Sequence, residues 1–118
     1  MRFPRNNRLV IQAEYQSLFK KAHKVSHRFL KILFKKNHCL QGRLGLIVAK
    51  RVAKKAVTRN QIKRVIRESF RLHQEKLMGI DIIVIARQPC DIISKQVLRE
   101  GIDKLWEKLL TSQSNVLS

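Results

Sequence analysis

Acidic side chains are scarce in this sequence. Eight Asp and Glu residues stand against 26 Lys and Arg residues, which gives the 118 residues a net charge of +18. A small folded protein with this excess of positive charge repels itself unless it binds a polyanion, so the composition favours nucleic acid as the partner. An anionic membrane surface is the competing partner, but no segment has the large Trp-rich apolar face that favours such anchoring.

Cysteines and long apolar runs are also scarce. Cys39 and Cys90 lack a metal-ligand spacing, and His38 has no second cluster with which to bind zinc. Two unpaired thiols and the lack of an apolar N-terminal segment are typical of a reducing compartment. We expect the bacterial cytoplasm, and the composition also allows an organelle. No stretch reaches the roughly 18 apolar residues of a membrane span, so we expect no membrane partner.

The remaining composition indicates one folded domain. Hydrophobic residues make up 44% of the chain, which is enough to build a core at this length. No internal repeat or low-complexity block divides the sequence. We therefore interpret residues 1–118 as a single domain, and we expect the polar ends, residues 1–8 and 112–118, to be flexible.

The spacing of apolar residues predicts three helices and three strands. In chain order these are a helix over 11–22, strands over 28–35 and 43–50, a helix over 56–71, a strand over 79–87 and a helix over 94–111. The segment KNHCLQG between the first two strands predicts an antiparallel hairpin, and Gly79 is predicted to stop the middle helix. The predicted fold class is α+β, a small mixed sheet packed with three helices.

The predicted elements have distinct faces. Along the first strand, Leu30, Ile32 and Phe34 form an apolar face, and Phe29, Lys31, Leu33 and Lys35 form a mixed one. The nearly continuous apolar run of the second strand predicts burial on both faces. In the last helix, Ser94 is the predicted N-cap. The predicted core stripe of that helix is Leu98, Ile102, Leu105 and Leu109, with Trp106 beside it.

The segment AVTRNQIKRVIRESFR, residues 56–71, carries its charge on one side. At about 100° per residue, its apolar side continues into the next turn and comprises Ile62, Val65, Ile66, Phe70, Leu72 and Leu77. The opposite side comprises Asn60, Lys63, Arg64, Arg67 and Arg71. TRNQ, residues 58–61, is similar to a capping box. A solvated helix surface normally alternates in sign, whereas only Glu68 and Glu75 interrupt this one, so the pattern predicts phosphate binding.

The same segment carries a family resemblance. RNQIKRVIRESFR resembles the signature of the bacterial ribonuclease P protein subunit, and LGLIVAKRVAKKAV before it and DIIVIAR after it resemble that family in the same order. FPRNNRL and YQSLF resemble its N-terminal region, so the similarity spans residues 3–110. One departure is Gln61, where the family usually has Arg; it lies off the charged side, so we expect little effect.

The resemblance implies a function. The family's protein joins a catalytic RNA that cuts the 5′ leader from precursor tRNA, and the RNA performs the hydrolysis with bound Mg²⁺. It implies no organic cofactor, no catalytic or metal-binding residue in the protein and no obligate protein partner. It also implies a short fourth strand and a left-handed strand-helix-strand crossover, which departs from the usual handedness of parallel connections.

The resemblance also assigns residues to two RNAs. The implied contacts with the catalytic RNA are Lys50, Arg51, Arg59, Asn60, Lys63, Arg64, Arg67 and Arg71. The implied contacts with the leader are Tyr15, Phe19, Lys31 and Leu33. Aromatic rings beside Lys31 and Lys35 would give single-stranded bases a stacking surface next to positive charges, without demanding a particular sequence.

Two other functions compete with this one. A structural RNA-binding protein, such as a ribosomal protein, would share the charge but take no part in cleavage. A protein-only nuclease would need a catalytic cluster, but the eight carboxylates are scattered along the chain and the four histidines form no acid–base constellation. The RNA that co-purifies with the protein separates these alternatives.

Overall fold

The computed structural model of the chain describes residues 23–37, 40–88, 90 and 92–117, with side chains as far as residue 112. The elements in order are β1 (His23–Ser26), β2 (Leu30–Lys36), β3 (Arg43–Ile47), α1 (Ala56–Leu72), β4 (Ile80–Ala86) and α2 (Lys95–Leu117). The predicted helix over 11–22 lies outside the described residues. In the part that is described, neither helix combines the length and the apolar character needed to span a bilayer.

The four strands form one mixed sheet in the order β1-β2-β4-β3. β2 is antiparallel to both β1 and β4, whereas β3 is parallel to β4. The fourth strand that the family resemblance implied is therefore present. The predicted hairpin between β2 and β3 is wrong, because β4 lies between them and pairs with both. The handedness of the β3-α1-β4 connection stays a prediction.

β4 lies inside the sheet, between β2 and β3, and is buried on both faces. Six of its seven residues are buried, and Ile85 is half-buried. β3, predicted to be buried on both faces over residues 43–50, ends at Ile47 and buries only Leu44 and Gly45 within the strand. The apolar runs over 44–49 and 82–86 are similar in length, so burial on both faces depends on where a strand lies in the sheet, and β3 lies at its edge.

The sheet has a large apolar face and a small one. Leu30, Ile32 and Phe34 belong to the main core beneath the two helices, as their alternation predicts, and Leu33 and Ile83 form a separate cluster on the other face. Phe29, predicted on the mixed face, instead lies in the main core ahead of β2. Gly101 explains this, because a Cβ there would lie 2.9 Å from the Phe29 ring.

α1 begins at the predicted residue and ends one residue beyond the predicted end, but its capping differs from the prediction. The helix begins at Ala56 after Lys55, which makes no side-chain capping hydrogen bond, so Thr58 lies in the first turn and forms no capping box. It ends at Leu72, which is 60% exposed and therefore lies off the apolar side. Gly79, at φ 75°, does not stop the helix. It is the last residue of a turn over 73–79 and leads into β4.

The predictions for α2 are confirmed at its start and along its core face. The Ser94 Oγ accepts a hydrogen bond from the Val97 N–H at 3.1 Å, which is the geometry of an N-cap. The predicted stripe is buried throughout, Trp106 included. Each large side chain buried in this way contributes about 1.5–3 kcal/mol. The helix continues to Leu117, beyond the predicted end at residue 111.

Candidate RNA interface

The predicted charged side of α1 lies at the surface. We call Asn60, Lys63, Arg64, Arg67 and Arg71 the basic stripe. Asn60, Arg64 and Arg71 are exposed, and Lys63 and Arg67 are half-buried. The opposite side of the helix enters the core through Ile62, Ile66 and Phe70, which are at most 3% exposed. The basic stripe and the core side therefore lie on opposite sides of one helix, as the sequence predicts, while Val57 and Leu72 near the two ends are exposed.

A buried polar network fixes how α1 is rotated about its axis. The Ser69 hydroxyl donates to the Asp103 carboxylate on α2 and accepts a hydrogen bond from the Trp106 Nε1 at 2.8 Å. Arg99 Nε also donates to Asp103, at 3.3 Å. Ser69 is fully buried, and the network satisfies its hydroxyl. Since Ser69 lies on the side of α1 away from the basic stripe, the network holds the stripe toward solvent.

Arg59 differs from the other predicted contacts. Its Nη1 donates to the carbonyl oxygens of Ala53 at 2.9 Å and Lys54 at 2.8 Å. At about 100° per residue it lies off the basic stripe, near the core side of the first turn. Arg59 therefore fastens the segment before α1 to the helix, and its other guanidinium donors remain available for a phosphate. The helical spacing could have revealed this role.

The turn before α1 presents further cations. Lys50 and Arg51 are exposed, and the Arg51 carbonyl accepts a hydrogen bond from Gln88 Nε2 at 2.7 Å, which ties the turn to the end of β4. Lys54 and Lys55 are also exposed beside the first turn of α1, which contains no acidic residue. Sequence reasoning missed these two lysines, although they continue the same charged run. The helix dipole adds positive potential at this end.

The sheet face opposite the helices combines lysines with an apolar centre. On this sheet face, Leu33 is 2% exposed and Ile83 is fully buried. Lys24 pairs directly with Leu33 across β1 and β2, and the half-buried Lys31 follows on the same side of β2. The burial of Leu33 favours packing, and its contact with a leader stays a prediction. Tyr15 and Phe19 lie outside the described residues.

One carboxylate lies on the same sheet face. Asp81 is 6% exposed and accepts two hydrogen bonds from Arg43, from Nε at 2.7 Å and from Nη2 at 2.6 Å. Asn37 Nδ2 donates to it as well, at 2.8 Å. This bidentate pair is a strong charge-assisted contact. The positive charge of Arg43 offsets the negative charge of Asp81. The lysines of β1 and β2 therefore give the sheet face a net positive charge.

No cluster of three or more His, Cys, Asp and Glu side chains within the described ranges is arranged to hold a metal ion. His73, just after the end of α1, has its Nδ1 2.7 Å from the Ser69 carbonyl oxygen, so its ring is held against the last turn of the helix.

The fold and the charged helix define the class of the protein. It is a small α+β protein in which a cationic helix crosses between two parallel strands of a mixed sheet. The family model of ribonuclease P matches residues 3–110, and the chain belongs to the ribonuclease P protein family.

Individual relatives agree with this assignment. The chain is 41% identical to the ribonuclease P protein component of Vibrio cholerae over 107 residues, which cover 91% of each chain. It superposes on the solved RNase P protein of Staphylococcus aureus with a TM-score of 0.83 and 34% identity, over 87% of this chain and 94% of that one. A solved mutant of the Staphylococcus protein, with defective mRNA degradation activity, matches with a TM-score of 0.83, 32% identity and 88% of each chain covered.

Ribonuclease P is a ribonucleoprotein endoribonuclease of tRNA processing, and membership of the family makes this chain its protein component. The family thereby implies an RNA subunit as the partner and a tRNA as the substrate.

Proposed function

We propose that the protein holds two RNAs on two surfaces, the catalytic RNA on the basic stripe and the 5′ leader of precursor tRNA on the sheet face. The observation that carries this proposal is the basic stripe, a run of cations at the surface of α1 whose opposite side enters the core through Ile62, Ile66 and Phe70. Like charges on successive turns destabilise an isolated helix, so a surface of this kind is explained by a polyanion that lies against it.

The basic stripe suits the backbone of a folded RNA. Its side chains are cations and one amide on a rigid helix, and Lys50 and Arg51 extend it at the end where the helix dipole is positive. Contacts of this kind position an RNA without reading its sequence, and they release counterions from the phosphates. Binding should therefore weaken steeply with salt, by roughly one unit of logarithmic slope for each phosphate contacted.

The sheet face suits a single strand. Leu33 and Ile83 are buried at its centre, and the half-buried Ile47 and Ile85 pack against them. Lys24 and Lys31 lie beside this cluster. Under the family resemblance, Tyr15 and Phe19 would add the rings on which unpaired bases stack. Stacking with charge alongside accepts many leader sequences, because every base has a π-face.

We assign the hydrolysis to the RNA subunit and its bound Mg²⁺. Cleavage of a phosphodiester needs an activated water and stabilisation of developing charge, which metal ions held by oxygen ligands supply. Two of the few carboxylates, Asp81 and Asp103, are already engaged with Arg43, Arg99 and Ser69. A net charge of +18 repels a divalent cation, whereas RNA phosphates attract it. The protein then screens repulsion between RNA strands, in the bacterial cytoplasm that its relatives' origin favours.

A magnesium titration of precursor tRNA cleavage tests this division of labour. The catalytic RNA with the protein should produce one cut at the mature 5′ end, at lower Mg²⁺ concentration than the RNA alone requires. Superimposable titrations with and without protein would contradict the proposal, because they would leave the protein with passive RNA binding only.

A second candidate is cleavage of mRNA by the protein itself. It is favoured by the Staphylococcus mutant, whose description as defective in mRNA degradation attributes that activity to the normal protein. To decide between the two functions, protein purified free of RNA is incubated with a long single-stranded transcript. Our proposal predicts an intact transcript; cleavage that the Arg64→Ala variant abolishes would support the second candidate.

A further inference from the structure

The connection between β1 and β2 is braced by cations from two other elements. Arg87, just after β4, donates its backbone N–H to the Phe29 carbonyl at 2.8 Å, and its Nη2 donates to the His27 carbonyl at 3.1 Å. From α2, Lys108 Nζ donates to the Ser26 carbonyl at 3.3 Å. Three segments far apart in the chain therefore meet here: the turn itself, the residue after β4 and α2. Each of them brings a positive charge, which is Arg28, Arg87 and Lys108 respectively.

A groove runs beside the turn, between β1 and α2. It has a volume of about 680 Å³, and six of its seven described lining residues have polar or charged side chains: Val25, Ser26, Lys104, Glu107, Lys108, Thr111 and Ser112. Lys104 and Lys108 are one helical turn apart and exposed, so both point into the same open space. The hydroxyls of Thr111 and Ser112 continue the lining toward the end of α2.

The positive charges around the turn act together on the side chain of His27. Burial lowers the pKa of His27 below its usual value, and Lys108, Lys104 and Arg28 lower it further. The His27 Nδ1 is buried without a hydrogen-bond partner. Glu107 is the carboxylate of the groove lining, and the Asp103 carboxylate is occupied by Ser69 and Arg99. Positive charge therefore outweighs negative charge around the turn.

We propose that Arg28, Arg87, Lys104 and Lys108, which we call the turn patch, form a further RNA-binding surface that holds a phosphodiester backbone in the groove between β1 and α2. It is separate from the basic stripe, which lies on α1, and from the sheet face. The proposal rests on the proposed function only in that the partner is RNA. The backbone belongs either to the catalytic RNA or to the tRNA, and the two sources present the same chemistry.

The lining favours a phosphate backbone over other partners. Its ammonium groups and the hydroxyls of Ser26 and Ser112 can donate to phosphate oxygens, and none of the described lining residues has an aromatic ring to stack a base. The large exposed apolar side chains of the described residues are Leu40, Val57, Leu72, Met78, Ile92 and Val97, and none of them lines the groove. A lipid surface would call for such side chains beside the charges.

The test compares two pairs of lysines that carry the same charge. The Lys104→Ala/Lys108→Ala variant removes the patch lysines, and the control Lys36→Ala/Lys76→Ala removes two exposed lysines away from the turn, at the far end of β2 and in the turn over 73–79. Binding to the cognate catalytic RNA is measured by filter retention over a range of salt concentrations. The affinity of the reconstituted holoenzyme for precursor tRNA is measured in parallel, and circular dichroism checks the fold.

The patch variant should lose about tenfold or more in affinity for one of the two RNAs, with a salt slope lower by roughly two units. Loss with the catalytic RNA assigns the backbone to that RNA, and loss only in the holoenzyme assigns it to the tRNA. Lys104→Arg/Lys108→Arg, which keeps the charge, should retain the affinity.

Equal losses in the patch variant and in the control would overturn the turn patch, since they would show an effect of net charge alone. Unchanged affinity for both RNAs, or a loss confined to binding of phosphatidylglycerol vesicles, would overturn it too. The Lys63→Ala/Arg64→Ala variant of the basic stripe distinguishes failure of the turn patch from failure of the proposed function. If it weakens RNA binding and the patch variant does not, the turn patch fails alone; if neither does, the proposed function fails.

Discussion

The basic stripe of α1 and the sheet face are both cationic, but they differ in what lies between the charges. On the stripe, cations follow one another along the helix, and Ile62, Ile66 and Phe70 are buried on its opposite side. On the sheet face, lysines lie beside the buried Leu33 and Ile83, and Arg43 is neutralised by Asp81. Charge without apolar surface binds phosphates, whereas charge beside apolar surface also accommodates bases. Under the proposed function, one small domain keeps two RNAs apart by the kind of surface that it offers to each.

The largest expected effect comes from breaking the anchor that orients the basic stripe. Trp106 is fully buried, packs edge-on against Phe70 with ring centroids 6.0 Å apart, and donates to Ser69. Trp106→Ala should lower the free energy of unfolding by about 3–5 kcal/mol. Urea denaturation measures this, with Trp106→Phe as the control that keeps most of the volume but loses the Nε1 donor. A loss below that of the Phe variant would contradict the packing described here.

The next effect should appear when the basic stripe loses charge. Lys63→Ala/Arg64→Ala should weaken binding to the catalytic RNA on the order of 50-fold at 0.1 M salt, if each side chain contacts one phosphate. The salt slope should fall by roughly two units, and the unfolding free energy should change little because both side chains face away from the core. Filter binding at several salt concentrations checks this; an unchanged slope would remove the stripe from the interface.

A smaller effect is expected from the sheet face. Phe19→Ala should reduce affinity for precursor tRNA by about 1–3 kcal/mol if a leader base stacks on the ring. Mature tRNA, which has no leader, should bind the holoenzyme as before. Leu40→Ala, which shortens a side chain that is 83% exposed, serves as the control. Equal weakening of both tRNAs would identify the ring as scaffold.

The smallest effect concerns pH and the turn between β1 and β2. Because burial and the cations Lys108, Lys104 and Arg28 lower the pKa of His27, the unfolded chain binds a proton there more readily than the folded chain does. The neutral form of His27 therefore contributes its full stability to the fold above the pKa that His27 has in the unfolded chain, about 6.5. This contribution is lost as the pH falls below that value. The melting temperature of the wild type should drop more between pH 8 and pH 5 than that of His27→Gln. Parallel drops in the two proteins would contradict this.

The two regions also differ in how much of them the sequence predicts. The basic stripe follows from the helical period, which is a local signal, and the structure confirms its position on the surface. Strand pairing is not local. The turn-like segment after β2 predicted a hairpin, yet the next partner of β2 is β4, more than forty residues along the chain. β1 escaped prediction because its four residues, HKVS, carry no buried apolar pattern.

The same reasoning explains which site residues were missed. The inward hydrogen bonds of Arg59 depend on the path of the segment before α1, and a helical wheel gives only its direction. The turn patch draws on three segments up to 80 residues apart, so no sequence window contains it. Phe29 left its predicted face because Gly101 makes room for its ring on α2. Contacts between distant segments, and not local propensity, decide these positions.

The separation of the two surfaces is tested most directly by binding both RNAs to matched variants. The two variants are Lys63→Ala/Arg64→Ala, the stripe variant, and Phe19→Ala/Lys31→Ala, the sheet variant. Two quantities are measured for each variant. The first is its affinity for the catalytic RNA, and the second is the ratio of precursor to mature tRNA affinity in holoenzyme saturated with protein. The account predicts that the stripe variant loses catalytic RNA affinity and keeps the ratio, while the sheet variant keeps that affinity and loses the ratio. If both variants change both quantities by the same factor, the two surfaces are one site and the account is wrong.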